Sequence, residues 1–229
     1  MLYVPINQQV TLQNEDPVLN EVGELLGLSL RMTEDQLMRD MLMASAAQYN
    51  CSGGGNGDTP TNLSDSDLEE VTVLLAEEDA KMIFSRIEAE DRIGTGPQRD
   101  SYLGLGHIRL LKDLQGLNGW FSKWNYPNQN RTIPSEWGAL ENIRFMLSSV
   151  GAIEQNASDL GADVYDIFVQ GLEAIGCVHQ DNFTSRFLYR PPIFSDPLFQ
   201  NVTLGYVTAQ APVLLNDLWV QKVRCTLNT

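Results

Sequence analysis

Residues 16 to 47 constrain the fold more than any other stretch of this chain. Asp16 and Pro17 read as a helix start, an acceptor side chain followed by a residue whose fixed φ suits the first helical position. Beyond them apolar residues recur at Val18, Val22, Leu25, Leu26, Leu30, Leu37, Met41 and Leu42, the three-to-four spacing of one amphipathic helical face. Gly23 or Gly27 offers a place for a bend. About thirty residues at ~1.5 Å each make a rod of about 45 Å, more than one small domain needs. Everything else must be organised around it.

Before the rod, YVPINQQVTLQ alternates loosely and reads as an extended arm or hairpin strand. After it, CSGGGNGDTPTN (51–62) is expected to be a flexible linker, rich in glycine and turn formers. It nearly matches a calcium-binding glycine repeat, but its aspartate is one position early and the motif occurs once. SDSDLEEVTVLLAEEDAKMIF opens a capped helix with acids in its first turn, where the helix dipole favours them; its acidic run reads as a solvated face. SYLGLGHIRLLKDL then predicts a strand entering a helix at His107, ENIRFMLSSV a strand, and VYDIFVQGLEAIG a strand followed by a short turn of helix. NFTSRFLYRPPIF reads as linker or strand. DPLFQNVTLGYVTAQAPVLLNDLWV (196–220) reads as two short strands with Pro212 between them and an exposed Trp219 at its end. One long helix, a mixed block and closing strands make an α+β chain, with no internal repeat.

Composition narrows the function classes. Of 229 residues, 43% are apolar and 20% charged, an ordinary globular balance. No apolar run approaches the ~18 residues a membrane helix needs. MLYVPINQQV lacks the basic start and apolar core of a signal peptide, so cytoplasmic synthesis is expected. Thirty acidic residues against fifteen basic ones give a net charge of -15, and the basic residues form no cluster. Nucleic-acid affinity rests on lysines and arginines set against phosphates, so DNA or RNA binding and adhesion to an anionic membrane are both disfavoured. Cys51, Cys177 and Cys225 form no metal-ligand pair and read as reduced thiols, two of them buried. Six Asn-x-Ser/Thr triplets, at Asn50, Asn62, Asn130, Asn156, Asn182 and Asn201, keep an extracellular glycoprotein or binding module as the alternative.

Candidate chemistry is thin. His107 follows a GLG and reads as a strand-end residue bonding local backbone. Cys177 and His179 share a face if extended, yet a Cys-His nucleophile needs a third orienting group and a lowered thiol pKa. LGLGHI only echoes a dinucleotide loop, because Arg109 occupies the third glycine position. The carboxylates Glu77, Glu78, Asp79, Glu88, Glu90 and Asp91 sit in helical, solvated sequence where their pKa values stay ordinary. GWFSKWNY (119–126) could stack a sugar, but such a loop more often anchors itself to a core or a neighbouring subunit. No catalytic, cofactor-binding or metal-binding residue is assigned.

Several stretches, in order, resemble the major capsid proteins of tailed phages and prophages, which share the Hong Kong 97-type fold. DPVLNEVGELLGLSLRMTEDQLMRDMLMASA is similar to that family's long spine helix, and IGTGPQRDSYLGLGHIRLLKDL to its Gly-Thr-x-Pro segment, strand ending in histidine and Asp-Leu. SEWGALENIRFMLSSV resembles its x-Asn-x-Arg-Phe strand, VYDIFVQGLEAIGCV its apolar strand and following turn, and DPLFQNVTLGYVTAQAPVLLNDLWVQKV its closing Asp-Pro-Leu and Gly-Tyr hairpin. The five segments together cover residues 16 to 223. About fifteen extended residues precede the spine, where the family carries a longer arm and an extended loop, so arm-mediated contacts are not carried over.

The resemblance implies a division into an extended arm or loop remnant (1–15), a peripheral domain made from both chain ends (16–62 with 183–229) and an axial α+β domain (63–182). It implies a non-enzymatic shell protein whose partner is itself, in pentamers and hexamers, with scaffold, portal or decoration proteins as further partners. Its place would be the virion capsid, and the host bacterial cytoplasm before assembly. The closing strands would pair beside the spine as a wall, with Pro212 at a strand end or bulge. A minor virion component is a further alternative, and a hydrolase built on carboxylates or on Cys177 with His179 another.

Overall fold

The computed structural model describes residues 2–7, 18–88, 98–127, 132–159, 161–179, 185–192, 198 and 200–228. In chain order the elements are β1 (Leu2–Asn7), α1 (Val18–Ser45), β2 (Ala47–Asn50), α2 (Asp65–Glu77), β3 (Tyr102–His107), a 3-10 turn (Ile108–Leu110) and α3 (Leu111–Gly116). Then come β4 (Phe121–Ser122), β5 (Glu136–Leu140), β6 (Ile143–Ser148), β7 (Ile153–Glu154), β8 (Val164–Gln170) and β9 (Ile175–His179). The chain closes with β10 (Arg186–Arg190), β11 (Asn201–Val207), β12 (Gln210–Leu214) and β13 (Val220–Thr226). The predicted rod is one continuous helix of 28 residues; its expected cap at Asp16 and Pro17 lies outside the described residues, as do Asn130, Asn182, Glu90, Asp91 and the Gly-Thr-x-Pro segment.

Packing divides the chain into two compact units, residues 1–38 with 177–213 and residues 39–176 with 214–229. The larger unit is built on an eight-stranded mixed sheet in the order β2-β13-β8-β3-β6-β5-β4, with β7 paired to β8. Its central strand β8, VYDIFVQ, is buried on both faces from Val164 to Val169, which is why it reads as an almost unbroken apolar run rather than an alternating one. One face carries Tyr165, Ile167, Val169, Val223 and Cys225 against Leu68, Val71 and Leu75 of α2. Those three helix positions repeat at three and four residues, the spacing of one helical face. The opposite face bears Asp166, Lys222 and Arg224, and Lys222 Nζ donates to Met43 O at 3.2 Å.

The smaller unit is a three-stranded antiparallel sheet, β1-β11-β10, with Tyr206 buried against Leu26 and Leu30 of α1. The N-terminal residues 2–7 are thus a paired strand and not a free arm.

Several local expectations need correction. Residues 51–62 are no loose linker: Cys51 N–H donates to Arg224 O, Thr61 N–H to Cys51 O, and Thr226 N–H to Thr61 O, so the loop is stitched to β13. The closing strands form no hairpin, because β11 pairs with β1 and β10 while β12 pairs with β9. Pro212 stands in the middle of β12 and not at its end; a two-stranded sheet leaves one side of each strand unpaired, so a missing N–H is tolerated. The expected helical turn after β8 is a plain turn into β9. Trp219 is half-buried against the larger core, its Nε1 donating to Glu78 O at 2.9 Å.

Candidate self-association surface

The residues that could carry chemistry are dispersed or structural. His107 ends β3, and its Nδ1 accepts the Arg109 N–H at 3.1 Å, as a strand-end histidine should. Burial first, and then the Arg109 charge, hold its pKa below the ordinary value. Cys177 and His179 both lie exposed on β9, and the Cys177 sulfur stands 3.8 Å from Gln210 Oε1. No orienting acid joins them among the described residues. No cluster of three metal-ligating side chains occurs there either. The aromatic loop anchors to its own core: Trp120 packs 5.9 Å from Phe145, and Phe121 stacks 5.5 Å from Tyr126.

The ionisable groups that sequence reading missed are buried in the larger unit. Asp67, expected on a solvated face, is fully buried. It is the third residue of α2, in a capping box with Ser64. Its Oδ1 also accepts backbone N–H groups from Ser52 (3.2 Å), Gly53 (3.0 Å) and Gly54 (2.7 Å). Positive φ at Gly53 and Gly54 lets the turn aim these amides at one carboxylate. Burial pushes the Asp67 pKa up, but the bonds from Ser64, Gly54 and Ser52 outweigh it and leave it below the usual value.

Two further groups show the opposite extremes of satisfaction. Glu136 accepts from Tyr126 Oη at 2.8 Å and Ile133 N–H at 2.9 Å, and faces Arg144 Nε at 3.1 Å. Asp166 has no such support. Neither of its oxygens accepts a hydrogen bond among the described residues, and its nearest cation is Arg224 Nε at 3.7 Å. Arg224 is meanwhile held by Glu154. Desolvation, then the Glu154 charge, push Asp166 up to about 6 against the partial relief of Lys222 and Arg224.

The smaller unit presents a surface of another kind. Along α1, Leu25, Leu28 and Met32 are exposed by half or more, a stripe at three and four residues on the side away from Leu26 and Leu30. Exposed Glu21, Glu24 and Asp35 edge that stripe. In β10 every residue is exposed, including Phe187, Leu188 and Tyr189, with Arg186 and Arg190 at its ends. Among the described residues strand β10 is an edge of its sheet. A bare edge strand with apolar side chains is a surface that natural proteins normally cover or blunt. Acids outnumber the exposed Arg31 around the helix stripe, while arginines stand at both ends of the strand.

The whole chain superposes on shell proteins. An encapsulin complex of Synechococcus elongatus matches with a TM-score of 0.65 at 9% identity, over 100% of this chain and 74% of that one. The capsid of Ralstonia phage GP4 matches at 0.64 and 12% identity over 100% and 73%, and the head of Helicobacter pylori bacteriophage KHP40 at 0.64 and 9% over 99% and 73%. This is the Hong Kong 97-type capsid fold. Mixed helix and sheet, the fold class expected from the sequence, is what it contains. By sequence the chain matches no protein-family model and no curated protein. The capsid fold therefore rests here on arrangement, at identities where sequence carries little.

Proposed function

We propose that this chain is a major capsid protein that assembles with copies of itself into the shell of a tailed phage or prophage, and does no chemistry. The observation that carries this reading is the end-to-end match to assembled capsid proteins, supported by a unit that leaves much of its apolar surface uncovered. Identical subunits would meet through heterologous contacts that close into pentameric and hexameric rings, and the rings would tile a shell. Each contact can be modest, because many simultaneous contacts hold one subunit. The chain's place would be the virion, after synthesis in the host cytoplasm, with scaffold, portal or decoration proteins as assembly partners. The resemblance would make residues 1–15 an arm or loop remnant, 16–62 with 183–229 a peripheral part and 63–182 an axial part. Those bounds differ from those of the two compact units, which set 39–62 and 214–229 with the larger one and pair residues 2–7 in the smaller. A net charge of -15 would keep the inner wall from trapping DNA.

A second reading is favoured by one specific match, the encapsulin complex: this chain would then form a protein-filled compartment rather than a genome shell. Negative-stain microscopy of the protein expressed alone and with its neighbouring gene products should show closed shells. Strictly monomeric protein at every concentration would count against both readings. Nuclease-protected DNA in the particles supports the phage shell, and particles holding protein cargo but no nucleic acid support the compartment. Of the glycosylation triplets, Asn50 is buried with its amide donating to Gly57 O at 2.9 Å, whereas Asn62, Asn156 and Asn201 are exposed. Glycan-free mass spectra after expression in a secretory host are therefore what would remove that alternative.

A further inference from the structure

We propose that Cys51 and Cys225 are a latent disulfide pair, open in a reducing environment and closed covalently when the folded protein meets a disulfide oxidant. Strands β2 and β13 are parallel and in register up to Asn50 opposite Arg224. The next residue of β2's chain, Cys51, donates its N–H to Arg224 O at 3.0 Å, which continues the ladder by one rung and sets Cys51 beside Cys225. Both residues are fully buried and belong to the same core cluster, so both side chains leave the sheet on one face. Cys225 Sγ donates to Tyr165 O at 3.5 Å, and neither cysteine is in a disulfide.

Neighbouring strands stand about 4.8 Å apart, inside the Cα window of roughly 4.4–6.8 Å that a disulfide spans. Bringing the two Cβ atoms to about 3.8 Å asks for an inward movement of about 1 Å. Cys51 is the residue best placed to make it, because the ladder ends there and the 51–62 loop begins. The sequence shows none of this: three cysteines, two of them 174 positions apart (225 − 51), carry no pairing signal.

The chemistry balances with an external disulfide as oxidant, of the glutathione disulfide class. One cysteine thiolate attacks it, releasing one thiol and forming a mixed disulfide. The second cysteine then displaces the other thiol, so the protein gives up two electrons and two protons and the oxidant leaves as two thiols. The Cys225 contact and burial push the Cys51 thiol well above an ordinary cysteine, so exchange must pass through an opening of the loop and is slow. Once closed, the bond is shielded from reductant by the same core. The pair lies inside one compact unit, and the inference does not depend on the shell reading.

The test is to incubate the full chain with oxidised glutathione for hours to days near its unfolding onset, then alkylate it in denaturant and map its peptides without reduction. Free thiols should fall from three to one, the peptides holding residues 51 and 225 should be joined, and Tm should rise by roughly 5–10 °C, reversibly with dithiothreitol. Cys177→Ser should keep the joined peptides and the rise in Tm, its free thiols falling from two to none, and Cys225→Ala should abolish the bridge. Should Cys225→Ala fail to fold, the peptide map of Cys177→Ser decides alone. Two free thiols persisting in that variant after the oxidised protein has been cycled through opening, or a bridge formed only after global unfolding, would overturn the pairing.

Discussion

The two compact units solve the burial problem in opposite ways. The larger closes a core of nineteen buried residues around α2 and one face of its sheet, and it also buries charge. Among the described residues the smaller closes a cluster of three, Leu26, Leu30 and Tyr206, with Ile6 and Val202 also buried, while Leu25, Leu28, Met32 and the whole of β10 stay exposed. Folding free energy scales with apolar area removed from water, roughly 25 cal/mol per Å². The first unit holds itself together, and the second has apolar surface left for a neighbour. In a chain that builds a shell, stability and association would be lodged in different places.

The sharpest way to break that contrast is to attack the larger unit's cap. Asp67→Ala removes the acceptor of three loop amides and of Ser64 at once, and should cost about 3–5 kcal/mol in urea unfolding. A cost below about 1 kcal/mol would mean that the 51–62 loop is not part of the core. Because the folded Asp67 pKa lies below its ordinary value of 3.8, its contribution is present above that value and is lost as pH falls through the folded pKa.

Next comes the truncation Leu26→Ala in the smaller unit, expected to cost about 2–4 kcal/mol locally. The effect should appear as faster amide exchange in β1, β10 and β11 while β8 and β13 stay protected. Equal protection of both sets before and after the change would erase the distinction between the units.

Asp166→Asn has the opposite sign. The folded pKa is raised from 3.8 to about 6, so the native state prefers the protonated group. That preference stabilises fully below pH 3.8 and disappears as pH rises through 6. The asparagine variant should therefore gain about 1–3 kcal/mol at pH 7.5 and nothing near pH 3.5. A loss at pH 7.5 would show that the Arg224 and Lys222 attractions dominate after all.

The smallest stability effect should carry the largest effect on assembly. Leu28→Ser on the exposed stripe should change unfolding by less than about 0.5 kcal/mol, yet shift particles seen by light scattering towards free subunits. In the same spirit, Arg190→Glu should impair assembly and Glu24→Arg should restore it in the double variant. Normal assembly of Arg190→Glu would clear β10 of any role.

Much of this was legible in the chain itself, because it is set by contacts near in sequence. The period of α1, the capping box opening α2, the strand that ends at His107 and bonds its own backbone, and the unbroken apolar run of β8 each follow from local spacing. So did the resemblance to capsid proteins, carried by the order of short motifs. Asp67 was half legible: serine before a helix with an acid three residues on signals a cap, but nothing local says that Ser52, Gly53 and Gly54 fold back onto it.

The tertiary structure alone decided which strands pair, and the physical reason is that register is fixed by faces and neighbours brought from far along the chain. The expected closing hairpin gave way to β11 beside β1 and β10, since Leu204 and Tyr206 bury against α1 only in that sheet. The same long-range pairing buried Asp166 with no hydrogen-bond donor among the described residues and set Cys51 beside Cys225. A sequence fixes the period of each element, whereas the partner across an element is a property of the folded whole.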